Sequence, residues 1–107
     1  MAAQQSEAKY AVIAHNTGGD NTIVAAVAGK KIRVLALFQV ATGAVATRYE
    51  SGAGGTALTG VMAMAANGVL ALPFNPVGWF ETAAGALLNL ELGGAVVVSG
   101  GVTYVEV

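Results

Sequence analysis

Few side chains in this sequence are equipped for chemistry, and they stand apart from one another. The one histidine, His15, closes an apolar alternating run beside Asn16, with Asp20 five residues on. A hydrolytic triad needs such a histidine between an orienting carboxylate and an activated hydroxyl. The serines, Ser6, Ser51 and Ser99, lie in a polar arm or in glycine-containing turns, and no Gly-x-Ser-x-Gly elbow is present. His15 therefore reads as a structural residue at a strand end. The stretch SGAGGT at 51–56 has the glycines of a phosphate cradle but lacks the Lys-Ser/Thr that would hold the phosphates and their metal. Metal ligation needs convergent His, Cys or carboxylate groups. The six acids, Glu7, Asp20, Glu50, Glu81, Glu91 and Glu106, are spread singly, and cysteine is absent. The expectation is a protein that is not an enzyme and uses no metal or cofactor.

Recognition is the chemistry that is left. Phe74, Trp79 and Phe80 surround the irregular loop FNPVGW, and large aromatics of this kind serve either as core or as interface anchors. Residues 31–40 alternate, with Ile32, Val34, Ala36, Phe38 and Val40 on one face and Arg33, Leu35, Leu37 and Gln39 on the other. Two leucines between two polar residues suit neither plain core nor plain solvent, so Arg33, Leu35 and Leu37 are expected at a subunit contact.

The elements that must position these residues are strands. Runs rich in Val, Ile, Leu, Tyr and Thr alternate with Gly, Asn and Asp clusters about every ten residues, and no segment carries a helical stripe. Strands are expected at 9–16, 22–27, 31–40, 44–50, 57–65, 69–72, 80–82, 87–92 and 95–107, the last broken at 99–101. Thr42-Gly43, Asn67-Gly68 and Gly93-Gly94 signal hairpins between neighbouring runs. Eight or nine short strands without a helix predict an all-β protein, an antiparallel β-sandwich. A jelly-roll is the best specific form and an immunoglobulin-like sandwich its nearest rival. Residues 1–8 read as a flexible arm and residues 9–107 as one sandwich domain.

Composition bounds what the sandwich does. Of the 107 residues, 55% are apolar and 10% charged, where a soluble domain carries about 25% charged residues. So few charges leave wide neutral zones on the outside, and such zones mark interaction surfaces. A net charge of −1 offers phosphates no field, and Lys30, Lys31 and Arg33 read as a solvated turn, so no nucleic acid is expected. No membrane is expected either, because Asn67, Gly68 and Pro73 interrupt one apolar stretch and Asn89, Glu91, Gly93 and Gly94 the other. The opening MAAQQSEAKY lacks a secretory pattern, so synthesis and use in the cytoplasm are expected.

The runs GDNTIVAAVAGKKIRVLAL, RYESGAGGTALTG and LPFNPVGWFETAAGALLNLELGGAVVVSGGVTYVEV resemble small Ala/Gly-rich proteins encoded among the structural genes of tailed bacteriophages and prophages, over residues 9–107. The resemblance implies a capsid decoration, or cement, protein on the virion surface. Its subunits would be β-sandwiches, commonly homotrimers, that clamp neighbouring copies of the major capsid protein. A polar arm in such proteins orders on the shell, which implies coat contacts for Gln4, Gln5 and Glu7; simple terminal disorder is the other reading. Tail and head-fibre components share the composition, with loops 51–56 and 74–79 projecting. A carbohydrate-binding module on the same scaffold is an alternative of another class.

Overall fold

Branched and aromatic side chains alternating with small or polar ones make strands, because a pleated backbone sends successive side chains to opposite faces. The computed structural model describes residues 7–107, and among these there is no helix. The strands are β1 (Lys9–His15), β2 (Gly19–Val24), β3 (Ile32–Ala41), β4 (Val45–Ser51), β5 (Thr56–Ala57), β6 (Met62–Met64), β7 (Val69–Leu72), β8 (Phe80–Glu81), β9 (Leu88–Leu92) and β10 (Val98–Glu106). One sheet has the order β1-β10-β3-β7, with β8 also on β3; the other has the order β2-β9-β4-β5, with β6 also on β4. All pairings are antiparallel. The fold is a β-sandwich, as expected.

Its core is where the two inner faces meet. Ile13, Val34, Leu37, Val98 and Val102 of the first sheet pack against Ile23, Tyr49, Leu88, Leu90 and Leu92 of the second. A polar bridge crosses between them: the Tyr49 hydroxyl donates to Gln39 Oε1 at 2.5 Å, and Gln39 Nε2 donates to Thr47 Oγ1 at 3.3 Å. Gln39 and Tyr49 are fully buried, so each group needs the other. The same burial pushes the Tyr49 phenol well above its ordinary pKa.

The structure departs from the sequence reading in three places. The first is β3. Along the β3–β10 ladder Ala36 faces Thr103 and Val34 faces Tyr104, so Leu35 has no partner and forms a bulge. One extra residue turns the rest of the strand over. Leu35, Leu37, Gln39 and Ala41 are therefore buried, while Phe38 and Val40 point outward. Leu35 and Leu37 belong to the core and not to an outer contact face.

The second concerns the turns. Thr42-Gly43, Asn67-Gly68 and Gly93-Gly94 do not close hairpins, because β3 and β4, β6 and β7, and β9 and β10 lie in opposite sheets. A turn dipeptide reverses the chain without choosing the neighbour. Two strands with one apolar face each bury it equally well across the core as side by side. At the second of these turns Asn67 takes a φ of 63° and donates its N–H to Ala41 O at 2.8 Å, docking the corner on the end of β3. The hairpin that does form joins β4 to β5 through residues 51–56, where Gly52 and Gly54 have φ of 84° and 63°.

The third concerns strand ends. β2 begins at Gly19 inside the expected turn, since the Asn21 side chain donates to the carbonyls of Thr17, Gly19 and Leu90 and holds that segment on β9. The expected run 57–65 is two short strands, and β10 is continuous through Ser99, Gly100 and Gly101. Gly101 is required there because the Tyr10 ring lies across it: a Cβ would stand 2.0 Å from the Tyr10 hydroxyl.

Candidate interaction surface

The outer face of the first sheet is built by four strands in register. Tyr10, Thr103 and Ala36 form one row across it; Val12, Gly101, Phe38 and Ala71 form the next; Ala14, Ser99, Val40 and Val69 form the third. These side chains alternate with the buried Ile13, Val102, Leu37 and Gln39, so strand periodicity forces them outward. No row holds a charged residue. The exposed area is mostly apolar, with Ser99 and Thr103 its polar members: Tyr10 is 58% exposed, Val12 64%, Phe38 49% and Val69 66%. The bulge at Leu35 is what presents Phe38 and Val40 here.

The charges lie elsewhere. Lys9 and Glu106 pair at 3.1 Å where β1 begins and β10 ends. Beside them Glu81 accepts from Arg33 Nε at 2.9 Å and from Lys31 Nζ at 3.3 Å. Arg33, expected at a partner contact, is thus engaged within its own chain. These two hydrogen bonds, the one from Arg33 first, hold the Glu81 carboxyl below the usual carboxylate range. A depressed carboxyl pKa stabilises the fold at pH above its unfolded value, and the gain is lost as pH falls through the folded value. Because the carboxylate is about one-third exposed, solvent screening limits the gain to less than about 1 kcal/mol. Glu81→Gln is therefore expected to melt slightly below the wild type at about pH 7 and together with it at about pH 2, in paired thermal melts.

The other expected site residues are not brought together with that face. Gln4 and Gln5 lie outside the described residues, and Glu7 is exposed ahead of β1. Phe74 is 65% exposed, and Trp79 is 43% exposed with its Nε1 donating to Pro73 O at 2.8 Å. Phe80 turns inward, its ring centroid 5.7 Å from that of Tyr49. Trp79 and Phe80 line a cavity of about 250 Å³ with Tyr49, Leu58, Met62 and Leu72. The pair thus divides: Phe80 joins the core, while Trp79 forms part of the cavity wall and reaches solvent.

One constellation was missed from the sequence. On the outer face of the second sheet, register sets Asp20 opposite Glu91, Glu91 opposite Arg48, and Asn89 opposite Glu50. Arg48 Nη2 donates to Glu50 Oε2 at 2.5 Å and to Glu91 Oε1 at 2.9 Å, and its pKa is raised, chiefly by the hydrogen bond to Glu50. Asn89 Nδ2 donates to Asp20 Oδ1 at 2.9 Å and to Glu50 Oε1 at 2.8 Å. Positions 20, 50 and 91 are remote along the chain, so the only sequence signal was that Arg48, Glu50, Asn89 and Glu91 share an outward parity. Asp20 Oδ1 accepts within this cluster and also from the Gly54 N–H at 3.1 Å, and among the described residues Asp20 makes no hydrogen bond to His15.

Compared with known proteins, the chain matches no family model, no curated protein and no solved structure.

Proposed function

We propose that this protein is a virion structural protein of the capsid decoration type, which associates with copies of itself as a homotrimer and stabilises the shell by bridging major capsid protein subunits. The observation that carries the reading is the uncharged, apolar outer face of the first sheet. Tyr10 and Val12 of β1, Phe38 and Val40 of β3 and Val69 of β7 form the exposed apolar part of one sheet face. Such a patch costs solubility unless protein covers it, and in a cyclic trimer it would meet a different surface of the next subunit, head to tail. The resemblance of residues 9–107 to phage structural proteins supports the choice of coat protein as the second partner.

The strand order supports the finer architecture. The order β1-β10-β3-β7 facing β2-β9-β4-β5, with successive strands alternating between the sheets from β1 to β4, supports a jelly-roll reading over an immunoglobulin-like one.

Cryo-microscopy of the purified virion tests the function. The expected result is density for this chain at regular positions on the outside of the head lattice; its absence from that lattice rejects the reading. A second reading, a tail or head-fibre part with receptor-binding loops, is favoured by the exposed Phe74, Val77 and Trp79 around one loop. Copy number decides between them, since a decoration protein is present at about the copy number of the coat lattice and a fibre only at a few vertices.

A further inference from the structure

We propose that the cavity behind Trp79 binds a small aromatic hydrocarbon, one ring with a short apolar substituent. Its volume is about 250 Å³. Protein interiors leave few voids larger than a water molecule, and an apolar cavity of about 150 Å³ holds benzene. The space here takes a ring and a few carbons more. Leu70 and Leu72 line it from β7 while Val69 and Ala71 of the same strand point outward, so the site is separate from the face assigned to self-association.

The wall selects the chemistry. Three of its side chains are aromatic: Tyr49 and Phe80, with ring centroids 5.7 Å apart, and Trp79. A further ring gains edge-to-face or offset contacts against such a wall, and the Met62 sulfur adds a contact of the same preference. The polar side-chain atoms of the wall are already engaged. The Tyr49 hydroxyl donates to Gln39, Trp79 Nε1 donates to Pro73 O, and Thr59 Oγ1 donates to Gly60 O at 3.0 Å while accepting from the Tyr49 N–H at 3.2 Å. Water or a polar ligand finds no free partner there, and a hydrocarbon needs none.

Trp79 supplies an independent observation. It is the one exposed residue of the lining, and swinging its indole into the void would bury apolar surface. The ring is held back instead. Its backbone N–H donates to Val34 O at 2.8 Å, and Nε1 donates to Pro73 O at 2.8 Å. Ahead of it, the Asn75 N–H donates to Leu35 O at 2.8 Å and the Gly78 N–H to Asn75 O at 3.0 Å, which fastens the loop to the β3 bulge. Gly78 has a φ of 98°, and a Cβ there would stand 2.6 Å from Arg33 Cγ, so the turn that aims Trp79 requires glycine. The void is thus kept open with an indole fixed at its mouth, as a pre-formed ligand site is. For a ligand of about seven carbons the Kd is on the order of 10⁻⁴ M.

The test titrates the full-length protein with toluene, read by the emission of Trp79, the only tryptophan of the chain, and by thermal melting. Toluene at about 1 mM, roughly tenfold over Kd, is expected to change that emission saturably and to raise Tm by about 5 °C. Phenol, the same ring with a hydroxyl in place of the methyl group, should bind about tenfold more weakly or worse. Leu58→Phe and Leu70→Phe each push a ring into the space, so they should melt at or above the wild type without toluene and lose the toluene-dependent shift. Absence of both emission change and Tm shift in the wild type up to about 5 mM toluene overturns the proposal. So does a folded Leu58→Phe or Leu70→Phe protein that binds toluene as tightly as the wild type, or phenol that matches toluene.

Discussion

Leu37→Ala lowers stability by about 3 kcal/mol, while Phe38→Ala, one position along and carrying an aromatic ring, lowers it by only about 1 kcal/mol. Leu37 is 2% exposed and lies within the core cluster between the sheets, so truncation removes buried methyl groups and leaves a void that the rigid inner faces cannot fill. Phe38 is 49% exposed on the outer face, so in the separate subunit its truncation loses only about half of a phenylalanine's burial and opens no enclosed void. Chemical denaturation in dilute protein, where self-association adds nothing, checks the pair. The corresponding shift in Tm for Leu37→Ala is roughly 15 °C. The contrast tests the bulge at Leu35 directly. Without it the alternation of 32–40 would put Phe38 inside and Leu37 outside, and the two costs would exchange places.

That exchange shows what was legible in the sequence and what was not. Strand content could be read from alternation and turn residues, because side-chain parity and backbone freedom are local properties. Leu88, Leu90 and Leu92 inward with Asn89 and Glu91 outward is a case in which the local pattern and the fold agree. A bulge costs one residue and carries no marker in IRVLALFQVA, since both faces of that run are apolar enough to be core. Alternation therefore gave the wrong face beyond Leu35, and with it the wrong contact residues. Pairing partners were equally hidden: the Gly93-Gly94 turn is the same dipeptide whether the chain folds back beside β9 or crosses the core to β10. The cluster of Asp20, Arg48, Glu50, Asn89 and Glu91 follows from the order β2-β9-β4, so it was invisible while that order was unknown. What composition did convey was the scarcity of charge, and the structure adds where the charges went. They gather at one end of the first sheet and on the outside of the second, which leaves the rows through Val12, Phe38 and Val40 neutral.

A neutral face of this kind is disabled by the charge it lacks. In the double variant Phe38→Lys with Val69→Lys, two ammonium groups stand on adjacent strands in the middle of the patch, since Val40 faces Val69 and Phe38 faces Ala71. Within a separate subunit both lysines stay in water, as Phe38 and Val69 largely do, and the monomer keeps its fold to within about 1 kcal/mol. Within an assembly that covers the face they would be buried, and each desolvated ammonium costs several kcal/mol. Self-association is therefore expected to weaken by more than a hundredfold, about 2.7 kcal/mol, so that light scattering reads trimer mass for the wild type and monomer mass for the variant. Incorporation into virions should be lost with it. Lysines at Val61 and Val77, equally exposed but outside the patch, serve as the control and should leave the trimer intact. A variant that keeps trimer mass, a control that loses it, or a wild type that stays monomeric at every concentration and on the shell would each show that this face is not where the subunits meet.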